Sequence, residues 1–208
     1  KYVWEQTCRY LRKWLDEGRS PLPASVNISR YDIFRDDLID VITGLISKYS
    51  LPASLLRLEI TESAFAKSSE QIIAVVKRLM DSGFTLEIDD FGSGYSSLNT
   101  LKDVPANVLK LDMRFLETKE NFQRGGNILE SIVRMAKWLD MSVIAEGVET
   151  LAQADFLKSI GCSYVQGYLY AKPMPAEEYE ALAKGIGKEE RLLALETVEN
   201  LDNNAFWD

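Results

Sequence analysis

Six times along the chain a short run of strand-forming apolar residues ends in a polar side chain and gives way to a helical stripe. The runs cover 24–28, 56–60, 84–89, 108–112, 142–145 and 163–166. Strands that alternate with helices predict a parallel sheet, because a parallel neighbour needs a crossover of a dozen residues or more. No shift in composition interrupts the pattern. The 208 residues therefore read as one α/β domain over 1–187, followed by an acidic tail over 188–208.

The helical stretches carry their own punctuation. Trp4, Cys8, Leu11 and Leu15 mark an opening helix stopped by Gly18. Phe34, Leu38, Val41, Ile42, Leu45 and Tyr49 form a second stripe. Ile72, Val76, Leu79 and Met80 form a third, with Ser68 and Gln71 as a capping box in front and Gly83 behind. A helix over 121–140 is expected to bury Ile128, Ile132, Met135 and Leu139. Thr150 and Gln153 make another capping box before a helix closed by Gly161, and a last helix starts near Ala176.

The strand ends hold Asn27, Glu59, Asp89 with Asp90, Lys110, Glu146 with Glu149, and Gln166. An open doubly wound sheet gathers functional residues at a switch point, whereas a barrel collects them from all its strands at one face. The spread favours a TIM-type (β/α)8 barrel. Six units are too few to close eight, and the chain opens inside a helix, so the expectation is a barrel that is N-terminally truncated in the chain as given.

Each of these residues also has a plain structural explanation. Asn27 taken alone reads as a backbone-bonding group near a turn. Glu59 is harder to dismiss, since buried acids are rare without a partner, and Lys110 is available as one. Glu149 precedes Thr150 and complements a helix dipole. Gln166 followed by Gly167 suits a bulge. Their joint placement at successive strand ends favours a shared cation site over six separate accidents.

Composition narrows the chemistry. With no histidine, Ser-His-Asp and Cys-His catalysis and every imidazole-ligated metal are excluded. Apart from Lys110 the strand-end groups are oxygen donors, which suit hard cations, and so many carboxylates suggest two neighbouring Mg²⁺ or Mn²⁺ ions. Such a pair would activate a water and neutralise a phosphoryl group, and Lys110 would orient that water or offset charge on a phosphate oxygen. A net charge of −8 argues against DNA or RNA as a partner. Cys8 and Cys162 lack metal-ligand spacing and read as buried free thiols. There is no long apolar run to span a membrane.

Six motifs together resemble the EAL domain, a family of bacterial cyclic di-GMP phosphodiesterases on a modified (β/α)8 barrel. They are Ser25-Val26-Asn27, Leu58-Glu59-Ile60-Thr61-Glu62-Ser63, the run from Asp89-Asp90-Phe91-Gly92 to Leu98, Leu109-Lys110-Leu111-Asp112, Ile144-Ala145-Glu146-Gly147-Val148-Glu149-Thr150, and Gln166-Gly167-Tyr168. The resemblance implies that Asn27, Glu59, Asp89, Asp90 and Glu146 ligate metal. Lys110 would contact the nucleophilic water and phosphate, Gln166 would support their network, and Glu149 would be a nearby outer acid. Glu62 would hold the loop after Asp90. Ser93 stands where threonine is commoner, keeping the hydroxyl.

The reaction so implied is hydrolysis of cyclic di-GMP to linear pGpG. The alternative is a catalytically silent EAL domain that serves as a receptor or interaction module. The resemblance further implies a homodimer with contacts beside the 91–98 loop. It implies a bacterial cytoplasmic setting, with upstream sensory domains or a membrane anchor elsewhere in a parent chain. The signature Glu-Ala-Leu is expected upstream of Lys1, so the chain as written is expected to be inactive alone.

Overall fold

Alternation along the strands decides how the sheet lies. The computed structural model describes residues 1–65, 69–92, 101–113 and 122–185. Within them β1 (Ala24–Asn27), β2 (Leu56–Thr61), β3 (Thr85–Phe91), β4 (Val108–Asp112), β5 (Ser142–Glu146) and β6 (Tyr164–Gln166) form one sheet in sequential order. Every ladder is parallel. That order is the wall of a singly wound barrel, not a doubly wound sheet.

Paired residues share a face, so the registers sort the side chains. Val26 pairs Leu58, which pairs Leu86, and Leu109 pairs Val143. These residues are buried, with Ile60, Ile88, Leu111 and Ala145, in the core beneath the helices. The opposite face carries Ser25, Asn27, Arg57, Glu59, Glu87, Asp89, Lys110, Asp112, Glu146 and Gln166. An apolar layer on one side therefore anchors a polar wall on the other.

The helices are α1 (Tyr2–Asp16), α2 (Arg30–Ile33), α3 (Leu38–Lys48), α4 (Glu62–Phe65), α5 (Ser69–Asp81), α6 (Phe122–Trp138), α7 (Leu151–Ser159) and α8 (Ala176–Gly185). Trp4, Cys8 and Leu11 bury one face of α1, and Ile72, Val76 and Leu79 one face of α5, as their spacing predicts. Thr150 and Gln153 cap α7 reciprocally. At the other end of the chain α8 returns to α1. Glu180 accepts from Lys13 Nζ at 2.7 Å and from Trp14 Nε1 at 2.9 Å, and the Tyr179 ring lies 5.6 Å from that of Trp14.

Four expectations need correction. The stripe from Phe34 to Tyr49 is two helices: Ser29 and Asp32 cap α2 separately, which leaves Phe34 at its C-cap and 46% exposed. The buried face of α6 is Leu129, Val133 and Ala136, so Ile128 and Leu139 are 40% and 45% exposed. Both stripes have helical spacing. The inner one wins because smaller residues admit close packing, and a Cβ at Gly126 would sit 3.1 Å from the Phe156 ring. The third strand runs on to Phe91 instead of ending at Asp89, and the fifth includes Glu146. Ser68, the loop beyond Gly92 and the acidic tail 188–208 lie outside the described residues. Among the described residues no helix is long and apolar enough to cross a membrane.

Candidate active site

Lys110 is where the strand-end chemistry meets. Its side chain stands mid-strand on β4, buried on the polar face. The ammonium lies 2.5 Å from Glu59 Oε1 on β2, 2.7 Å from Glu146 Oε1 on β5 and 3.3 Å from Asp89 Oδ1 on β3. Four adjacent strands thus aim one cation and three carboxylates at one point. Burial works against the Lys110 ammonium, but its bonds to Glu146 and Glu59 outweigh that and hold its pKa well above the usual lysine range. Burial likewise raises Glu59 and Glu146, opposed by Lys110 and reinforced by the charge of Asp89.

Asp90 solves the problem of two neighbouring acids on one strand. Its φ is +54°, a left-handed conformation that aspartate tolerates better than most residues, and the ladder with β4 shifts register between Ile88 and Phe91. The bend comes from Asp90 itself, not from the glycines alone. Asp90 therefore turns away from the outward position that strict alternation would give it. It lines a cavity of about 410 Å³ with Asp112, Glu146, Glu149 and Gln166. Glu146 belongs to both groups, facing Lys110 on one side and the cavity on the other.

The loops that frame the cavity are locked through backbone. Val148 N–H donates to Gln166 O at 3.1 Å, and Leu169 N–H donates to Val148 O at 3.0 Å. Gly167 lies so close beneath that a Cβ there would fall on the Val148 backbone. On the other rim the buried Glu62 accepts from Gly92 N–H at 3.0 Å, which pins the chain just after Asp90. Glu149 is exposed, and its N–H donates to Gln153 Oε1 at 2.8 Å in the cap of α7.

Asn27 flanks these groups at the sheet edge. It is exposed on the edge strand, in register with Glu59, and its backbone carbonyl accepts from Trp4 Nε1 at 3.0 Å. Sequence reasoning gave no role to Asp112, although it pairs with Glu146 in register and shares the cavity. It also missed Glu87, which lies under Asp89. Period-2 alternation was the signal for both.

The donor chemistry suits a hard divalent cation. The side chains around Lys110 and the cavity are oxygen donors, and Asp89 Oδ1, buried without a hydrogen bond, is met by the Lys110 ammonium at 3.3 Å. Among the described residues, however, no three acidic or thiol groups are already arranged as a metal cage. The acids point to the Lys110 ammonium instead.

The EAL domain profile matches residues 1–173. The bifunctional diguanylate cyclase/cyclic di-GMP phosphodiesterase MucR of Pseudomonas aeruginosa is 37% identical over 178 residues, 86% of this chain and 26% of that protein. The cyclic di-GMP phosphodiesterase NbdA of the same species is 38% identical over 179 residues, 86% of this chain and 23% of that protein. The chain spans about a quarter of the length of these curated relatives. The solved MucR phosphodiesterase in complex with c-di-GMP superposes with a TM-score of 0.79 at 37% identity, over 86% of this chain and 72% of that one. The EAL domain of Mycobacterium smegmatis DcpA gives 0.82 at 31% identity, over 88% and 83%.

Proposed function

The chain belongs to the EAL domain family, and on that premise we propose that it hydrolyses one phosphodiester bond of cyclic di-GMP to give linear pGpG. The observation that carries the reading is the Lys110 ammonium, held by Glu59, Asp89 and Glu146 from three other strands. A protonated lysine fixed among carboxylates is suited to meet the charge that builds on a phosphate oxygen.

Asn27, Glu59, Asp89, Asp90 and Glu146 are the residues that would hold Mg²⁺ or Mn²⁺, as two ions. When bound, the ions supply Lewis acidity at the phosphate and an acidified water. The chain's own groups do the rest. Lys110 orients the attacking water and offsets charge on the phosphate as one P–O ester bond breaks. Gln166 supports the water network from the cavity wall, and Glu149 acts from its rim. Glu62 holds Gly92, and through it Asp90, in place.

The same reading includes a homodimer whose contact runs beside the 91–98 loop. It includes a bacterial cytoplasmic setting, with a sensory or anchoring domain elsewhere in a longer parent. Glu62 bears on the first, because its bond to Gly92 N–H ties the start of that loop to α4, just after the strand carrying Glu59.

The test is turnover of cyclic di-GMP by a longer parent protein carrying this domain, with saturating Mn²⁺, read as pGpG by chromatography, with and without a chelator. Metal-dependent pGpG is the expected result. Binding of the nucleotide without turnover would instead make the domain a receptor, and activity that survives thorough chelation would end the metal-dependent reading.

A further inference from the structure

Beneath the acids around Lys110 lies a second polar layer that the proposed chemistry does not use. Ser25, Arg57 and Glu87 precede Asn27, Glu59 and Asp89 by two residues on β1, β2 and β3. Strand alternation places the two sets on one face, one layer apart. The Glu87 side chain is 0% exposed. One of its oxygens accepts from Ser25 Oγ at 2.9 Å and the other from Arg57 Nη1 at 3.1 Å. A single carboxylate so ties three neighbouring strands together.

Stability alone does not call for this arrangement. Glu87 is fully buried while its partner Arg57 is 31% exposed, so the pair carries a desolvation cost, borne mainly by the carboxylate, that apolar side chains avoid, and the opposite face of these strands uses such side chains. Arg57 Nε is moreover buried without a hydrogen-bond partner. What the polar trio supplies, and a slippery apolar contact does not, is directional bonding between particular atoms.

We propose that Ser25, Arg57 and Glu87 form a positioning layer: they fix the spacing of β1, β2 and β3 directly below Asn27, Glu59 and Asp89, and so set how tightly the site holds a divalent cation. The inference rests on the metal-dependent reading above. The three residues are positioning residues, since they act through the groups one layer higher.

Simple electrostatics and positioning predict opposite signs for one variant. Arg57→Gln removes a positive charge from beneath an acidic site, which by charge alone tightens cation binding. Loss of positioning loosens it, by about 10- to 100-fold, the usual effect of disturbing groups that orient metal ligands. Ser25→Ala changes no charge and removes one bond; it should weaken binding about tenfold. Ser25→Thr keeps the hydroxyl and should restore wild-type affinity.

The experiment is a Mn²⁺ titration by calorimetry of a longer parent protein carrying this domain, without substrate, with melting temperature recorded for each variant. Weaker binding by Ser25→Ala at near wild-type melting temperature, rescue by Ser25→Thr and weaker binding by Arg57→Gln are the expected results. Wild-type affinity in Ser25→Ala, or tighter binding in Arg57→Gln, overturns the positioning layer. Asp89→Asn runs alongside as a control on the site. If it too binds Mn²⁺ normally, the metal-dependent reading fails and takes this inference with it. If it alone loses affinity, only the positioning layer falls.

Discussion

Lys110 Nζ on β4 lies 2.5 Å from Glu59 Oε1 on β2, past the intervening strand β3. Two strands that share no ladder are thus joined through their side chains on the polar face. Such a reach needs a sheet that curves toward that face, as a barrel wall does. The curvature brings Glu146 within 2.7 Å of the same ammonium from the other side.

Lys110→Ala should lower kcat by about 10²- to 10³-fold, the size of effect seen when one preorganised charge-stabilising group is removed. KM should change little, since the contact matters most as charge develops. In the metal-free site the bonds to Glu146 and Glu59 outweigh burial and raise the Lys110 pKa, so the ammonium is the form present there. Steady-state kinetics check both constants, and a raised KM with unchanged kcat would reduce Lys110 to a substrate contact.

Glu62→Ala leaves the Gly92 N–H without its buried acceptor, a loss of about 1–3 kcal/mol. The chain after Asp90 should loosen, so Mn²⁺ affinity should fall and, if the neighbouring loop carries the dimer contact, self-association with it. Glu62→Gln keeps an acceptor oxygen and should recover most of both. Calorimetry and sedimentation measure the two effects separately. No change in either would leave Glu62 as a buried acid with a structural role only.

Gly167→Ala should damage the site from its backbone side. The added Cβ meets main-chain atoms of Val148, which cannot move aside by rotating a side chain. The lock between Val148 and Gln166 must open, and the Glu146 and Gln166 walls of the cavity separate. We expect turnover to drop more than tenfold, with a melting temperature lower by about 2–4 °C for each kcal/mol lost in a chain of this size. An active, fully stable variant would show that the two loops need not be locked.

Cys8 gives a pH signature far from the site. It is fully buried in α1, and burial, with a smaller push from Glu5, raises its thiol from 9.0 to about 11. A pKa raised on folding adds stability that is whole below the unfolded value and disappears as pH climbs through the folded one. Stability should therefore fall between pH 9 and pH 11, by at most about 3 kcal/mol from this group. Cys8→Ala should flatten that slope in denaturant titrations. In the native chain neither Cys8 nor Cys162 should react readily with a thiol reagent, since both are buried.

Much of this was legible in the residues. Strand order, the role of Gly18 and Gly83 as helix stops and the cap at Thr150 followed from local patterns that each involve a few neighbouring positions. Strand placement put Glu59, Asp89, Glu146 and Lys110 on one face and offered Lys110 as a partner for Glu59, but that Asp89 and Glu146 also reach its ammonium was not read from the residues. What escaped was decided by packing between distant segments. Leu129 and Ile128 lie on overlapping stripes with equal claim to burial, and only the fit of α6 against its neighbours chooses between them. Glu87 looked like an ordinary strand residue because its partners Ser25 and Arg57 are 62 and 30 positions away. Asp90 bends the strand through its own backbone, which no apolar pattern records.

The clasp of α8 on α1 has a consequence for the order of folding. Lys13 and Glu180 are 167 positions apart, whereas every strand ladder joins consecutive strands. Loop closure makes so distant a contact entropically unfavourable until the intervening chain is already compact. The sheet can grow strand by strand, and the clasp then closes over a wall that is largely built. Contacts made after the rate-limiting step leave the folding rate alone and slow only the reverse process. Glu180, with Lys13 and Trp14, would thus govern how long the assembled wall persists rather than how fast it forms.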